Sequence, residues 1–102
     1  MAELIGLNKL DFMEVVRLSS EVTKKYPCPC CGYKTFISPP PNTFDICPVC
    51  YWEDDGVQYA KPDYANGANK ISLNEAKANF VKYGAILKEY SNKTRKPLND
   101  EM

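Results

Sequence analysis

The chain has 102 residues, enough for one domain with a single core and too few for two domains of ordinary size. Its 13 basic side chains balance 13 acidic ones, which excludes the overall basic field that nucleic-acid-binding proteins use to attract phosphate. The first residues lack the features of a secretory signal, and no apolar run approaches the roughly 20 residues of a membrane span, so we expect a soluble, cytoplasmic protein.

The first part of the chain predicts an amphipathic helix over residues 8–25. Asp11 and Glu14 have the spacing of a capping box. Apolar side chains recur at helical spacing behind them, at Phe12, Val15, Val16, Leu18 and Val22. We interpret residues 1–25 as an N-terminal helical extension whose apolar stripe packs on the following module, with the groove of a partner as the alternative destination.

Residues 26–56 contain all five cysteines and too many turn-forming residues for a helix. We predict that residues 33–37 pair with residues 42–46 as a β-hairpin. The loop between them, residues 38–43, contains three consecutive prolines, which favour extended geometry and cannot donate to a strand ladder. This hairpin would form the body of a small metal-binding ribbon.

The second half of the chain predicts a loop, a helix and a tail. Residues 56–71 have little periodicity and many turn formers, which indicates a loop. A capping box at residues 72–75 begins a second amphipathic helix, whose apolar stripe is Leu73, Ala76, Phe80, Tyr83 and Leu87. Gly84 is a candidate for its end, and we predict a flexible tail over residues 93–102. Residues 26–92 would then form one module.

The spacing of the cysteines predicts a four-cysteine metal site. Cys28 and Cys31 are separated by two residues, as are Cys47 and Cys50, and 15 residues lie between the pairs. An odd cysteine count without a signal peptide favours metal ligands over disulfides. Cys30 is the surplus thiol; we interpret it as a small residue beside the site, and the alternative is an exchangeable or redox-sensitive ligand.

The residues around the cysteines favour tight turns. Pro29 and Pro48 follow the first cysteine of each pair, and Gly32 follows the first pair at a position that favours a positive φ. Tyr51 stands at the equivalent position of the second pair. We therefore expect either a less regular second turn or a strained Tyr51 backbone stabilised by packing of its ring on the hairpin.

The donor set favours zinc in a structural role. The chain has no histidine, so the site is all-thiolate or includes carboxylate, and imidazole-based catalysis is excluded. Four thiolates complete a tetrahedron and leave no position for water or substrate, so we expect a protein without catalytic activity. A single iron ion, as in rubredoxin, is the alternative, although the spacer here is shorter and the second glycine is missing.

Several motifs resemble one known family. They are the segments Tyr-Pro-Cys-Pro-Cys-Cys-Gly-Tyr (residues 26–33), Cys-Pro-Val-Cys-Tyr-Trp-Glu-Asp-Asp (residues 47–55), Gly-Ala-Asn (residues 67–69) and Ser-Leu-Asn-Glu-Ala (residues 72–76). Their order is similar to that of the bacterial cysteine-rich CPCC family, over about residues 26–85. The resemblance implies a bacterial protein with a zinc-ribbon-like module and implies no established biochemical activity.

Two further groups of side chains are candidate surfaces. The acidic run at residues 53–55 is interpreted as a solvated turn, with a docking patch for a basic partner as the alternative and a catalytic carboxylate pair as a remote one. Trp52, Tyr51 and Tyr33 are interpreted as packing around the metal, with stacking on nucleic-acid bases as the alternative.

The sequence thus predicts an α+β fold, a small zinc-ribbon or rubredoxin-like hairpin module with an amphipathic helix on either side. One zinc ion would be held by Cys28, Cys31, Cys47 and Cys50. We expect a protein–protein interaction module with a protein partner and no membrane association. A nucleic-acid-binding zinc ribbon and a rubredoxin-like iron or thiol redox protein remain the alternatives.

Overall fold

Short strands and short helices follow one another in the computed structural model, which describes residues 24–102. The elements are strand β1 (Tyr26–Pro27), strand β2 (Lys34–Phe36), helix α1 (Gly56–Ala60) and helix α2 (Leu73–Tyr83), with single 3₁₀ turns at Lys88–Tyr90 and Asn99–Glu101. The helix predicted over residues 8–25 lies outside the described residues except for Lys24 and Lys25, which are not helical. Within the described range, no helix has the length and apolar character needed to cross a membrane.

The first hairpin joins β1 to β2 and carries the first cysteine pair in its turn. The strands are antiparallel, with Tyr26 opposite Phe36 and Pro27 opposite Lys34. An irregularity falls between Tyr26 and Pro27, where proline has no N–H to give to the ladder. The cysteine turn therefore closes a hairpin of its own.

A second, less regular hairpin carries the second cysteine pair in the same way. Ile46 bridges Glu53 in antiparallel fashion, and the backbone N–H of Phe44 donates to the carbonyl of Asp54 at 3.0 Å. The predicted pairing of residues 33–37 with residues 42–46 is therefore wrong. The connecting segment cannot form a ladder because residues 39–41 are prolines and because Asn42 and Phe44 adopt positive φ angles of 74° and 58°.

Helix α1 lies in the segment for which the sequence predicted only a loop. Asp55 caps it by accepting hydrogen bonds from the backbone N–H groups of Val57 and Gln58. With five residues, α1 is too short to show a helical repeat of apolar side chains, which explains why periodicity did not reveal it.

Helix α2 begins at the predicted capping box and ends at Gly84, so Leu87, which the sequence predicted to lie on its apolar stripe, falls beyond the helix. The Ser72 hydroxyl accepts a hydrogen bond from the backbone N–H of Glu75 at 3.1 Å, and Gly84 closes the helix in the left-handed conformation. Leu73 and Ala76 on one face are buried, whereas Phe80 is partly buried. The segment after α2 returns to the cysteines, because the N–H of Ile86 donates to the carbonyl of Cys50 at 2.9 Å.

The hydrophobic core packs against the cysteines. Its buried apolar side chains belong to Phe36, Val49, Trp52, Leu73, Ala76 and Ile86. Residues 93–102, for which the sequence predicted a flexible tail, contact this core region. The N–H of Arg95 donates to the carbonyl of Pro48 at 3.1 Å, and Glu101 is 2% exposed. The tail therefore packs beside the second cysteine turn.

Candidate metal centre

The two cysteine turns have the same backbone hydrogen-bond pattern. In the first turn, the N–H of Gly32 donates to the carbonyl of Cys28, and the N–H of Cys28 donates to that of Tyr33, both at 2.9 Å. In the second, the N–H of Tyr51 donates to the carbonyl of Cys47 at 2.7 Å. The N–H of Cys47 completes the match by donating to the carbonyl of Trp52 at 2.9 Å. Of the two alternatives that the sequence left open, a less regular second turn is therefore wrong, and a strained Tyr51 backbone remains.

The second turn keeps the same geometry although a residue other than glycine occupies its left-handed position. Gly32 has a φ of 82°, and Tyr51, at the matching position, has a φ of 75°. Such a conformation costs an L-residue about 1–2 kcal/mol. The Tyr51 ring packs on Tyr90 with 4.7 Å between centroids, and the Lys93 ammonium lies 5.8 Å from its centroid. The strained backbone is thus stabilised by packing of the Tyr51 ring on the segment after α2.

The four predicted cysteines come together at the junction of the two hairpins. All four sulfurs lie within 4.8 Å of one another, and none of the chain's five cysteines forms a disulfide. The Sγ atoms of Cys28 and Cys50 are 3.6 Å apart, and those of Cys31 and Cys47 are 3.7 Å apart. A metal with four sulfurs at about 2.3 Å places neighbouring sulfurs about 3.8 Å from one another. The cluster therefore fits one tetrahedrally coordinated ion.

Backbone and hydroxyl donors point at three of the four sulfurs. Cys28 Sγ accepts from the N–H of Cys30 at 3.3 Å, and Cys50 Sγ accepts from the N–H of Trp52 at 3.4 Å. Cys47 Sγ accepts from two donors, the N–H of Val49 at 3.4 Å and the hydroxyl of Thr35 at 3.1 Å. Such bonds are the usual outer-shell support of metal-bound thiolates.

The electrostatics of the cluster call for a cation. Contact with the Cys28 side chain, then with Cys30, raises the pKa of Cys50 far above its ordinary value. The pKa of Cys47 is lowered, because the side chains of Cys28, Cys31 and Cys50 all stabilise its charge. Sulfurs this close repel one another once ionised, so the four cannot all carry charge without a positive ion among them. A metal ion held among the four sulfurs would supply that charge.

The fifth cysteine does not join the cluster. Cys31, and not Cys30, completes the four-sulfur cluster with Cys28 and the second pair, although the Cys30 side chain contacts Cys50. Cys30 is 8% exposed and belongs to the buried core. Its backbone N–H supports Cys28, which agrees with its interpretation as a residue beside the site.

The acidic run of residues 53–55 is neither a solvated turn nor a docking patch. Asp54 and Asp55 are 0% and 8% exposed. Asp54 accepts from the N–H of Thr43 at 2.9 Å. The N–H of Ala68 donates to Asp55, and this bond, followed by those from Gln58 and Val57, lowers the pKa of the Asp55 carboxyl. These carboxylates fix loops, and only Glu53 remains partly exposed.

Trp52 packs in the core and is not available to a nucleic-acid base. Its side chain is 0% exposed, which agrees with its interpretation as packing around the metal. Tyr33 and Tyr51 are half-buried, and Tyr33 meets Phe80 edge-on with 6.4 Å between ring centroids. A surface for base stacking made of Tyr33, Tyr51 and Trp52 would therefore lack the Trp52 ring.

Sequence reasoning missed three groups of residues that support the site. Thr35 carries no motif that marks it as a donor to sulfur. Gln58 is buried and binds Asn69, which holds the backbone of Glu53 close to the second cysteine turn. Arg95 and Glu101 form a bidentate ion pair at 2.8 and 2.9 Å within the tail. Thr35 and Gln58 act across more than ten residues of sequence, where no local pattern reports them, and the Arg95–Glu101 pair lies in a segment that the sequence predicted to be flexible.

Comparison with known proteins gives one positive result. The family model for the cysteine-rich CPCC proteins matches residues 26–101. No curated protein matches the chain. The matched region begins at β1 and reaches the last 3₁₀ turn, so it includes both cysteine turns, α2 and the tail. The chain therefore belongs to the cysteine-rich CPCC family.

Proposed function

We propose that this protein binds one zinc ion through Cys28, Cys31, Cys47 and Cys50, and that the ion is structural. The observation that supports it is the approach of four sulfurs to within 4.8 Å of one another, with three of the four cysteines buried. An all-thiolate tetrahedral set is typical of structural zinc sites. Zinc is favoured over iron because the chain lacks the second turn glycine of rubredoxin, with Tyr51 in its place.

The proposed role of the ion is to join the two hairpins. They meet at the sulfurs, whereas the regular strand pairing consists of β1 with β2 alone among the described residues. A sheet this small contributes little to the stability of a domain, whereas structural zinc contributes on the order of 10 kcal/mol in small modules. The four thiolates leave the ion no open position, which argues against catalysis at the metal.

We further propose that the folded module acts by binding a protein partner. The acidic run and Trp52 are buried and do not serve as the contact surface. Exposed apolar side chains in the segment between the cysteine turns support the proposal instead. Ile37, Phe44 and Ile46 are 70%, 55% and 47% exposed, and apolar surface of this kind is favoured at protein interfaces.

Elemental analysis of the purified protein tests the metal. We expect one zinc ion per chain, no iron, and loss of folded structure by circular dichroism in Cys28→Ser. Cys30→Ser is the matched control, since it removes a thiol from the same turn but outside the cluster, and it should keep one zinc. A Cys28→Ser protein that folds normally without metal would contradict the proposal.

The interaction role is tested with the zinc-loaded protein as bait. A specific partner should be captured by the native chain and by Val81→Ser, and lost with Phe44→Ser. Val81 is a matched control because it is an apolar side chain, 87% exposed, that belongs to α2 and not to the segment between the cysteine turns. Equal capture by both variants would refute the assignment to this segment.

A further inference from the structure

The four sulfurs of the cluster differ in how they are protected. Each of Cys28, Cys47 and Cys50 accepts at least one hydrogen bond from a backbone N–H. No backbone or hydroxyl donor within residues 24–102 reaches Cys31 Sγ, whose polar neighbours are the other sulfurs of the cluster, with Cys47 Sγ at 3.7 Å. Hydrogen bonds withdraw charge from a metal-bound thiolate and reduce its nucleophilicity. Cys31 therefore keeps the most reactive sulfur.

Cys31 is also the most accessible member of the cluster. Cys28, Cys47 and Cys50 are at most 1% exposed, whereas Cys31 is half-buried. The neighbouring Gly32 is exposed, and a side chain added there would meet nothing within 4 Å. A small reagent thus has open space beside this one sulfur, and thiol reactivity follows thiolate character together with access.

We propose that Cys31 is a modification site, the ligand at which a small hydroperoxide oxidises the metal-loaded centre. This inference rests on the proposed zinc site. The Cys31 thiolate attacks the peroxide oxygen, an S–O bond forms as the O–O bond breaks, and an alkoxide or hydroxide leaves. Sulfur loses two electrons to the peroxide, and the product is a sulfenic acid.

The second step follows from the distance between the two hairpins' sulfurs. The Cys47 thiolate, 3.7 Å from Cys31 Sγ, attacks the sulfenic sulfur and forms a disulfide as hydroxide leaves. Two thiolates have then supplied the two electrons that reduce one peroxide. Two ligands are lost to the metal, so each peroxide consumed releases one zinc ion.

Competition among the thiols of the zinc-loaded protein tests the site. After elemental analysis establishes one zinc per chain, the protein is treated with a limiting amount of iodoacetamide and the modified peptide is identified by mass spectrometry. We expect Cys31 to react at least about tenfold faster than the other three ligands and faster than Cys30. First modification at Cys30, or equal modification of the ligands, would overturn the inference.

A variant and a second reagent separate this inference from the zinc assignment. Thr35→Val removes the hydroxyl donor to Cys47, so the buried Cys47 should attack an oxidised Cys31 faster and speed formation of the disulfide, while the rate of iodoacetamide modification at Cys31 stays the same. Hydrogen peroxide should release zinc to a coloured chelator together with a Cys31–Cys47 disulfide. A protein without zinc refutes the proposed function, whereas a zinc-loaded protein modified elsewhere refutes only the role of Cys31.

Discussion

Replacing Gln58 with glutamate tests whether a buried amide holds the loop between α1 and α2. Gln58 is 0% exposed, and its Nε2 faces three carbonyl oxygens, those of Tyr64, Asn69 and Ile71, at 2.9–3.1 Å. Its Oε1 accepts from the backbone N–H and the side-chain amide of Asn69. Gln58→Glu keeps the shape and the acceptor but turns the donor into a second oxygen.

The structure predicts a large effect at neutral pH. Two donated hydrogen bonds disappear, and a carboxylate oxygen comes to lie against carbonyl oxygens. None of the hydrogen-bond partners that the described residues offer to Gln58 carries a positive charge. An unpaired polar group costs about 1–3 kcal/mol, and an uncompensated buried charge about 3–5 kcal/mol. We expect Gln58→Glu to lower the free energy of unfolding by about 3–5 kcal/mol, a large part of what a small domain has.

The pH dependence gives a second readout. Burial raises the pKa of the new glutamate in the folded state above its unfolded value of about 4.3, so its protonated form favours folding. The deficit of the variant relative to the native protein should therefore be largest at pH 7 and shrink toward about pH 5, where the protonated carboxyl donates one hydrogen bond.

Urea unfolding of the zinc-loaded proteins measures both quantities. Asn74→Asp is the matched control, because it makes the same chemical change at an exposed amide that donates to Asp63 at 2.7 Å. Its effect should remain under about 1 kcal/mol. If Gln58→Glu destabilises no more than Asn74→Asp, or its deficit does not change with pH, the amide does not hold the loop as reasoned.

Two other substitutions test the turn and the tail. The side chain added by Gly32→Ala meets no neighbouring atom within 4 Å, but the backbone must keep a φ of 82°. The resulting strain of about 1 kcal/mol should weaken zinc affinity about fivefold, as measured by competition with a chelator. An unchanged affinity would contradict this. Glu101→Gln breaks the charged pair with Arg95 and should cost about 1–2 kcal/mol in urea unfolding at pH 7. The pKa of Glu101 is held at about 2, below its ordinary value of 4.5, chiefly by hydrogen bonds from Arg95, so its contribution is lost only as pH falls from 4.5 to about 2. The difference between Glu101→Gln and the native protein should accordingly stay constant from about pH 5.5 to 8; a loss within that range would show that the pair is not the cause.

Features that depend on neighbouring residues were readable in the sequence. The spacing within each cysteine pair selects a turn on which both sulfurs face one point, so the spacing alone favours Cys31 over Cys30 as the ligand. Ser72 and Gly84 likewise mark the ends of α2 through bonds to backbone within one turn of the helix. Each of these rests on a contact over a few residues.

Strand pairing was not readable in the same way. The sequence predicted two strands, residues 33–37 and residues 42–46, but the pattern of apolar residues does not say with which segment each strand pairs. In the structure each cysteine turn closes its own hairpin, and the prolines at residues 39–41 separate the two. Which segments pair depends on how the hairpins pack around the sulfurs.

The sequence by itself determined which four sulfurs can share one ion and where α2 begins and ends, because chelate spacing and helix capping act over three or four residues. Only the tertiary structure decided that Asp54 and Asp55 are buried, that the tail packs, and that Cys31 alone of the four clustered cysteines is accessible. Burial depends on what distant segments cover. A carboxylate that reads as solvated lies in the interior when backbone N–H groups more than ten residues away donate hydrogen bonds to it, as those of Thr43 and Ala68 do.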